Sequence, residues 1–209
     1  MRIQLVKNDL QYAEQIYHAS QEEHVRTALM LPEGTIDNTR TFIESTILAE
    51  TEGKVLSRVI LNEVGEVIGH TTLKDINHPD GFAHLGTWIS YPFWGKGYNE
   101  ESKQLILEIA FHEVGLEWVF LGASKRNIRS QKAQEKLPYI RLHIENQFPQ
   151  ELEKIEKQLG ELCVLHGVHK LDYFHWEHKQ KSHLTISIPK NHTAISSFTA
   201  SNCRRSHSR

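Results

Sequence analysis

Residues 94–98, Trp-Gly-Lys-Gly-Tyr, stand directly before an amphipathic run of helical period. Two glycines at a strand-to-helix junction let backbone N–H groups come close to a ligand. The start of the helix adds free donors and the positive end of its dipole. Such a turn binds anions, and a pyrophosphate fits it, with Lys96 as a point charge at the rim. Other phosphate signatures do not match. Lys96 is followed by Gly97 rather than by Ser or Thr, and Glu100 stands where a dinucleotide fingerprint wants a third glycine. Acidic Glu100 and Glu101 in the first turn also suit an ordinary helix start. On the turn alone both readings stand.

The other chemistry-bearing residues are less ordered. His166, His169, His175, His178 and His183 crowd the C-terminal part, but His166 and His169 point to opposite faces if they share a strand, and no Cys or carboxylate completes a metal spacing. No metal site is expected. Cys163 reads as a small buried thiol.

The elements that must position the turn follow from periodicity. "RIQLV" is a short strand. "DLQYAEQIYHASQEEHVRTAL" is helical, broken by Leu31-Pro32-Glu33-Gly34, and a second helix runs from Asp37 as N-cap through "TRTFIESTILAETE". "LSRVILN", "VIGHTTLKDI" and "FAHLGTWIS" form an antiparallel meander with turns at Val64-Gly65-Glu66 and at "NHPDG". After the glycine turn, Leu105, Ile106, Ile109, Ala110 and Val114 recur at steps of three and four, opposite Glu101, Gln104, Glu108 and His112. This is an amphipathic helix ending at Gly115. "EWVFLGA" has the pattern of a central strand covered on both faces. "RNIRSQKAQEKL" reads as a helix, "YIRLHIE" as a strand, "FPQELEKIEKQLG" as a helix and "LCVLHGVHKLDYF" as the last strand. The order β-α-α-β-β-β-α-β-α-β-α-β implies an α/β protein, a mixed sheet with helices on both faces and one parallel crossover at its centre.

Composition narrows the setting. The 209 residues suffice for one good core. No apolar run approaches the ~20 residues that cross a bilayer, the first twenty residues carry charge throughout, and two cysteines make no disulfide framework. A cytoplasmic protein without membrane contact is expected. Residues 178–209 hold six Lys/Arg and no Asp/Glu, leaving 18 basic and 26 acidic side chains in residues 1–177. The acidic body makes nucleic acid an improbable partner. The basic Ser/His-rich tail, 178–209, is expected to be disordered, and recruitment to RNA would rest on that tail alone.

The segment "GTWISYPFWGKGYNEESKQLILEIAF", followed by "NIRSQKAQEKLPY" about thirty residues after the glycines, resembles the GNAT superfamily of N-acetyltransferases. Within it, the resemblance is to the branch that includes the ribosomal-protein N-terminal alanine acetyltransferases. It covers residues 1–177 in the order of elements and implies the acyl-CoA N-acyltransferase fold and acetyl-CoA as co-substrate. Carried over by position, Trp94, Gly95, Lys96, Gly97, Tyr98 and Asn99 would contact the pyrophosphate, mainly through backbone N–H groups. Ile89 and Ser90 would pair with the pantetheine amides where the strand splays from its neighbour, and Asn127 and Ser130 would flank the pantetheine arm. Glu100 and Glu101 would point away. Three features depart from the pattern: Asn99 replaces a small residue, Pro138 replaces a glycine before Tyr139, and "QFPQELEKIEKQLGE" adds a helix before the last strand.

The resemblance also implies the chemistry. A neutral amine attacks the thioester carbonyl, an N–H near Ile89 serves the oxyanion, and the thiolate leaves. An α-amine near ~7.8 is partly neutral at pH 7, whereas a lysine costs about 4 to 5 kcal/mol to deprotonate. His84 matches a position where similar proteins carry Glu, so it is either the general base or a packed histidine. The tyrosine that acts as acid in some relatives falls at Gln134, which has no such proton to give, and Ser130 could donate only a hydrogen bond to the thiolate. The acceptor would be a protein N-terminus or a small-molecule amine. The competing expectation is an acyl-CoA-binding module without turnover.

Overall fold

A computed structural model describes residues 2–186. Six strands form one sheet in chain order: β1 (Ile3–Lys7), β2 (Leu56–Asn62), β3 (Val67–Asn77), β4 (Phe82–Ile89), β5 (Trp118–Ser124) and β6 (Cys163–His169). All neighbours are antiparallel except β4 and β5. Only that pair needs a crossover, and the amphipathic helix supplies it.

Alternation along the strands sorts the core into two layers. On one face, Leu73, Ala83, Leu85, Val119 and Leu121 pack against Ile106, Leu107 and Ala110 of the crossover and Tyr173 of the C-terminal helix. On the other, Val59, Leu61 and Val67 take Ala13, Ile16 and Ile43 from the N-terminal helices. Farther along that second face, Phe120, Cys163 and Leu165 take Ile155. The mixed sheet with helices on both faces is as expected.

Several local expectations are corrected. The first helical stretch is a 3-10 turn followed by α1 (Ala13–Gln21) and α2 (Glu23–Leu29), broken at Glu22. Helix α3 (Ile36–Thr51) is capped by Thr35 in a capping box with Asn38, not by Asp37, which pairs with Arg40 inside the first turn. The crossover is α4 (Tyr98–Glu108), which widens into a π turn over Ile109–Glu113. Helix α5 (Ile128–Glu135) follows β5.

"YIRLHIE" is not a strand. His143 takes a left-handed φ of 54°, and only Arg141 bridges to Gly167 of β6. Alternating Ile140, Leu142 and Ile144 imitate a strand pattern, but the left-handed turn at His143 limits the pairing with the edge strand β6 to Arg141 with Gly167 and Ile144 N–H with the Leu165 carbonyl. The added helix is α6 (Pro149–Leu159).

The last strand ends at His169, and "KLDYF" opens α7 (Lys170–Ile186) instead of extending it. Tyr173, Phe174 and Trp176 pack at helical spacing against Phe111 and Tyr139. Helix α7 also runs nine residues past the boundary expected at 177. The rest of the expected disordered tail lies outside the described residues.

One close approach decides where α6 lies. A Cβ at Gly122 would stand 2.5 Å from Ile155 Cδ1. The bare glycine lets α6 settle onto β5, and that places Glu151, one turn before Ile155, over β4.

Candidate active site

Strands β4 and β5 pair only at Phe82–His84 with Trp118–Phe120. Beyond that fork β4 stays on β3 as far as Ile89, and β5 stays on β6 as far as Ser124. The two edges therefore part, and the opening ends between the start of α4 and the start of α5. Ser90 donates its N–H to Ile68 of β3. By alternation the Ile89 N–H and C=O face the opening.

At the mouth lies the glycine turn, with Gly95 at φ 74° and Gly97, the N-cap of α4, at φ 86°. Arg2 braces it. The guanidinium donates to the Lys96 carbonyl (2.8 Å), lies over the Tyr98 ring and pairs with Glu101. Glu101 is thus used to hold Arg2. Lys96 extends over Phe93. Asn99 turns its Oδ1 back along the helix to the ammonium of Lys103.

The expected cofactor residues come together around this opening, with one surprise. The Trp94 indole N–H donates to the Ile89 carbonyl, and its ring carries the Arg129 guanidinium, 3.0 Å from the ring centroid. Arg129 belongs to α5, so this stack bridges the two sides of the opening. Asn127 caps α5 by accepting from Ser130 N–H (3.0 Å), and Ser130 Oγ accepts from Gln134. The other amide atom of Gln134, Oε1, is buried without a partner. Ser90 Oγ and Tyr91 N–H both donate to Glu22 (2.9 and 2.7 Å), which ties the break between α1 and α2 to the end of β4.

His84 sits at the fork itself, on the face that carries α6. Its Nε2 is 2.6 Å from Glu151 Oε2, and the imidazole is 3 % exposed against 16 % for the carboxylate. Burial lowers the pKa of His84, and the hydrogen bond and charge of Glu151 oppose that shift only in part. Nearby, Lys154 pairs with Asp75 (3.2 Å).

Beside the pair, Gly86 is exposed in mid-strand, and a Cβ there would meet nothing within 4 Å. With its partner Thr72 it floors a groove on this face. Across the groove His70 is buried against Asn8, Ser57 and Thr72 and stacks beside Trp88. Burial lowers its pKa to about 4.

Sequence reasoning missed Arg2, Glu22, Arg129 and Glu151, each joined to the site by a contact more than thirty residues away in the chain. Among the described residues no three metal-binding side chains cluster. His166 Nδ1 instead accepts from His143 N–H. Cys163 is a buried free thiol whose pKa burial raises. None of the described helices is long and apolar enough to cross a membrane.

A sheet forked between its two parallel strands, opening onto a glycine turn at a helix start, is the frame of an acyltransferase of the N-acetyltransferase type. Residues 2–139 match the family model described as acetyltransferase (GNAT) domain, and the chain belongs to that family.

Among solved structures it is similar to the microcin self-immunity acetyltransferase MccE in complex with acetyl-CoA and AMP. Identity is 20 %, with 80 % of this chain and 92 % of that one covered and a TM-score of 0.66. It is also similar to the ribosomal alpha-N-protein acetyltransferase RimL (15 %, 68 % and 78 %, 0.62). A third is a chimera of the Vibrio cholerae spermidine N-acetyltransferase SpeG and hSSAT (15 %, 83 % and 99 %, 0.64). At these identities the likeness is one of fold. No curated protein matches the chain.

Proposed function

We propose that the protein transfers acetyl from acetyl-CoA to a primary amine by direct attack in a ternary complex. The observation that carries this is the fork between β4 and β5, with the glycine turn at its mouth and the His84–Glu151 pair at its foot. The diphosphate lies on the N–H groups of Lys96 to Asn99, at the positive end of α4. The pantetheine arm runs down the opening, pairing with Ile89 and offering an amide N–H to the orphaned Gln134 Oε1. Five residues of β4, roughly 17 Å, separate Ile89 from His84.

The amine enters along the groove floored by Gly86. Its nitrogen attacks the thioester carbon, the Ile89 N–H takes the developing oxyanion, and the C–S bond breaks. With the thioester carbonyl at Ile89, the amine proton passes to water in the groove and along it to the Glu151–His84 pair, which meets the groove through its carboxylate. The thiolate leaves toward Ser130, which offers a hydrogen bond. RimL and SpeG modify a protein N-terminus and a polyamine respectively, and both acceptor classes belong in the screen.

The test is calorimetric titration of acetyl-CoA, then thiol release with a panel of amines. Gly97→Glu should weaken acetyl-CoA binding more than tenfold, because it places a Cβ at positive φ, 3.0 Å from Arg2 Nη2, and a carboxylate in the diphosphate site. Binding without amine-dependent thiol release would favour the acyl-CoA-binding module. No binding would end the reading.

A second consequence concerns Trp94. Pantetheine pairing at Ile89 requires the carbonyl that the indole N–H now holds, so acetyl-CoA should change the tryptophan emission of the wild type. Trp94→Phe should abolish that change. An unaltered spectrum at saturating acetyl-CoA would show that the indole keeps its place.

A further inference from the structure

Lys103 lies in the second turn of α4 and is only 6 % exposed. The expected place for a lysine on an amphipathic helix is its wet face. This one shares the buried side with Ser102, Ile106 and Leu107. Its ammonium donates to Asn99 Oδ1, a neutral acceptor. Among the described residues no carboxylate pairs with it, and two of its three N–H donors have no acceptor. Burial lowers its pKa to about 8, which still leaves it charged at neutral pH.

A buried charge without an opposite charge is costly, and among the described residues only the Asn99 amide oxygen offsets it. Replacing such a group with an apolar one usually stabilises a protein. The ammonium is also not placed at random. Side chains on a helix lean toward its N-terminus, and the bond to Asn99 carries Nζ back to the level of the first turn. There the N–H groups of Tyr98, Asn99 and Glu100 have no helical carbonyl to bond. Glu101 pairs with Arg2, and its i,i+2 position turns it to a different face of the helix from Lys103. A cation, free N–H donors and the positive end of a helix dipole thus lie together at the first turn of α4.

We propose that Lys103 is a buried counter-charge for the diphosphate of the acyl-CoA, held ready by Asn99. This rests on the acetyl-CoA reading of the site. It also accounts for Asn99 itself, the departure from a small residue in the glycine turn: its side chain is the cradle of the lysine. The charge of Lys96, out on the rim over Phe93, is hydrated. That of Lys103 is desolvated and acts through a medium that screens it less.

The test is Lys103→Met in the full chain, with binding of acetyl-CoA and of S-acetyl-pantetheine measured alongside thermal unfolding. Acetyl-CoA should bind roughly ten- to hundredfold more weakly, the range expected for a lost hydrogen bond to a charged group. S-acetyl-pantetheine, which lacks the diphosphate, should bind as it does to the wild type, and Tm should not fall. Unchanged acetyl-CoA affinity in Lys103→Met would overturn the proposal, as would equal weakening of both ligands or a lowered Tm with affinity intact. If the wild type binds S-acetyl-pantetheine but the diphosphate of acetyl-CoA adds nothing, the counter-charge is refuted while the acyl site survives. If it binds neither, the acyl-CoA reading falls first.

Discussion

Glu151→Gln should lower kcat for acetyl transfer by about 10²- to 10³-fold, within the range lost with a general base, while leaving the Kd for acetyl-CoA within about twofold. The expectation comes from exposure and position. His84 closes the paired part of the β4–β5 fork, but its imidazole is sealed beneath α6, and the group that meets the groove is the carboxylate hydrogen-bonded to it. Glutamine keeps the shape and can still accept from His84 Nε2, so the fold and α6 should hold. The ability to take a proton goes.

His84→Gln should cost a similar amount, because burial keeps the imidazole neutral near pH 7, able to donate to the carboxylate and share the incoming proton. The double variant should be little worse than either single one, since partners in one proton acceptor are not additive. Full activity in Glu151→Gln would remove the pair from the chemistry. A loss that appeared only in acetyl-CoA affinity would move it to cofactor binding.

What the sequence made legible was local. The glycine turn, the period-3.6 run behind it and the apolar β5 strand are each written in fewer than twenty residues, and together they define the parallel crossover and the mouth of the site. What it concealed was the assembly of distant parts. Nothing around Glu22 signals that its carboxylate will take two donors from Ser90 and Tyr91. Among Glu151, Glu153 and Glu156 no spacing singles out the one that reaches His84; the choice is made by Gly122 and Ile155 docking α6.

Lys103 is the instructive intermediate case. Its i,i+4 relation to Asn99 is visible in the sequence, yet only the packed structure shows that the ammonium is buried. The false strand at Tyr139–Glu145 and the strand-like reading of "KLDYF" fail in the same way. An alternating or apolar pattern fits the sheet locally, but the left-handed turn at His143 interrupts the pairing with β6, and α7 needed the aromatic residues to close the core over Tyr139.

The opposite wall of the groove should lose its stability in acid. His70 stands in a buried network with Asn8, Ser57 and Thr72, linking the loop after β1 to β2 and β3, and burial holds its pKa near 4 against 6.5 in the unfolded chain. Above pH 6.5 it is neutral in both states and contributes no pH dependence. As pH falls below 6.5 the unfolded chain takes up a proton that the folded protein refuses until about pH 4. Stability is therefore lost across that window, by about 3 kcal/mol from this residue alone.

His84 and His166 are shifted in the same direction and steepen the slope. The measurement is urea unfolding from pH 7 to 4 for the wild type and His70→Asn. The variant should be less stable at pH 7, where it disturbs a satisfied buried network, yet show a flatter decline toward pH 4, so that the two curves converge. Parallel curves would mean that acid acts elsewhere. Convergence would place the first acid-induced weakening beside Trp88, one residue before Ile89 at the end of β4 proposed to hold the acyl-CoA, and acetyl-CoA affinity should then fall in acid together with activity.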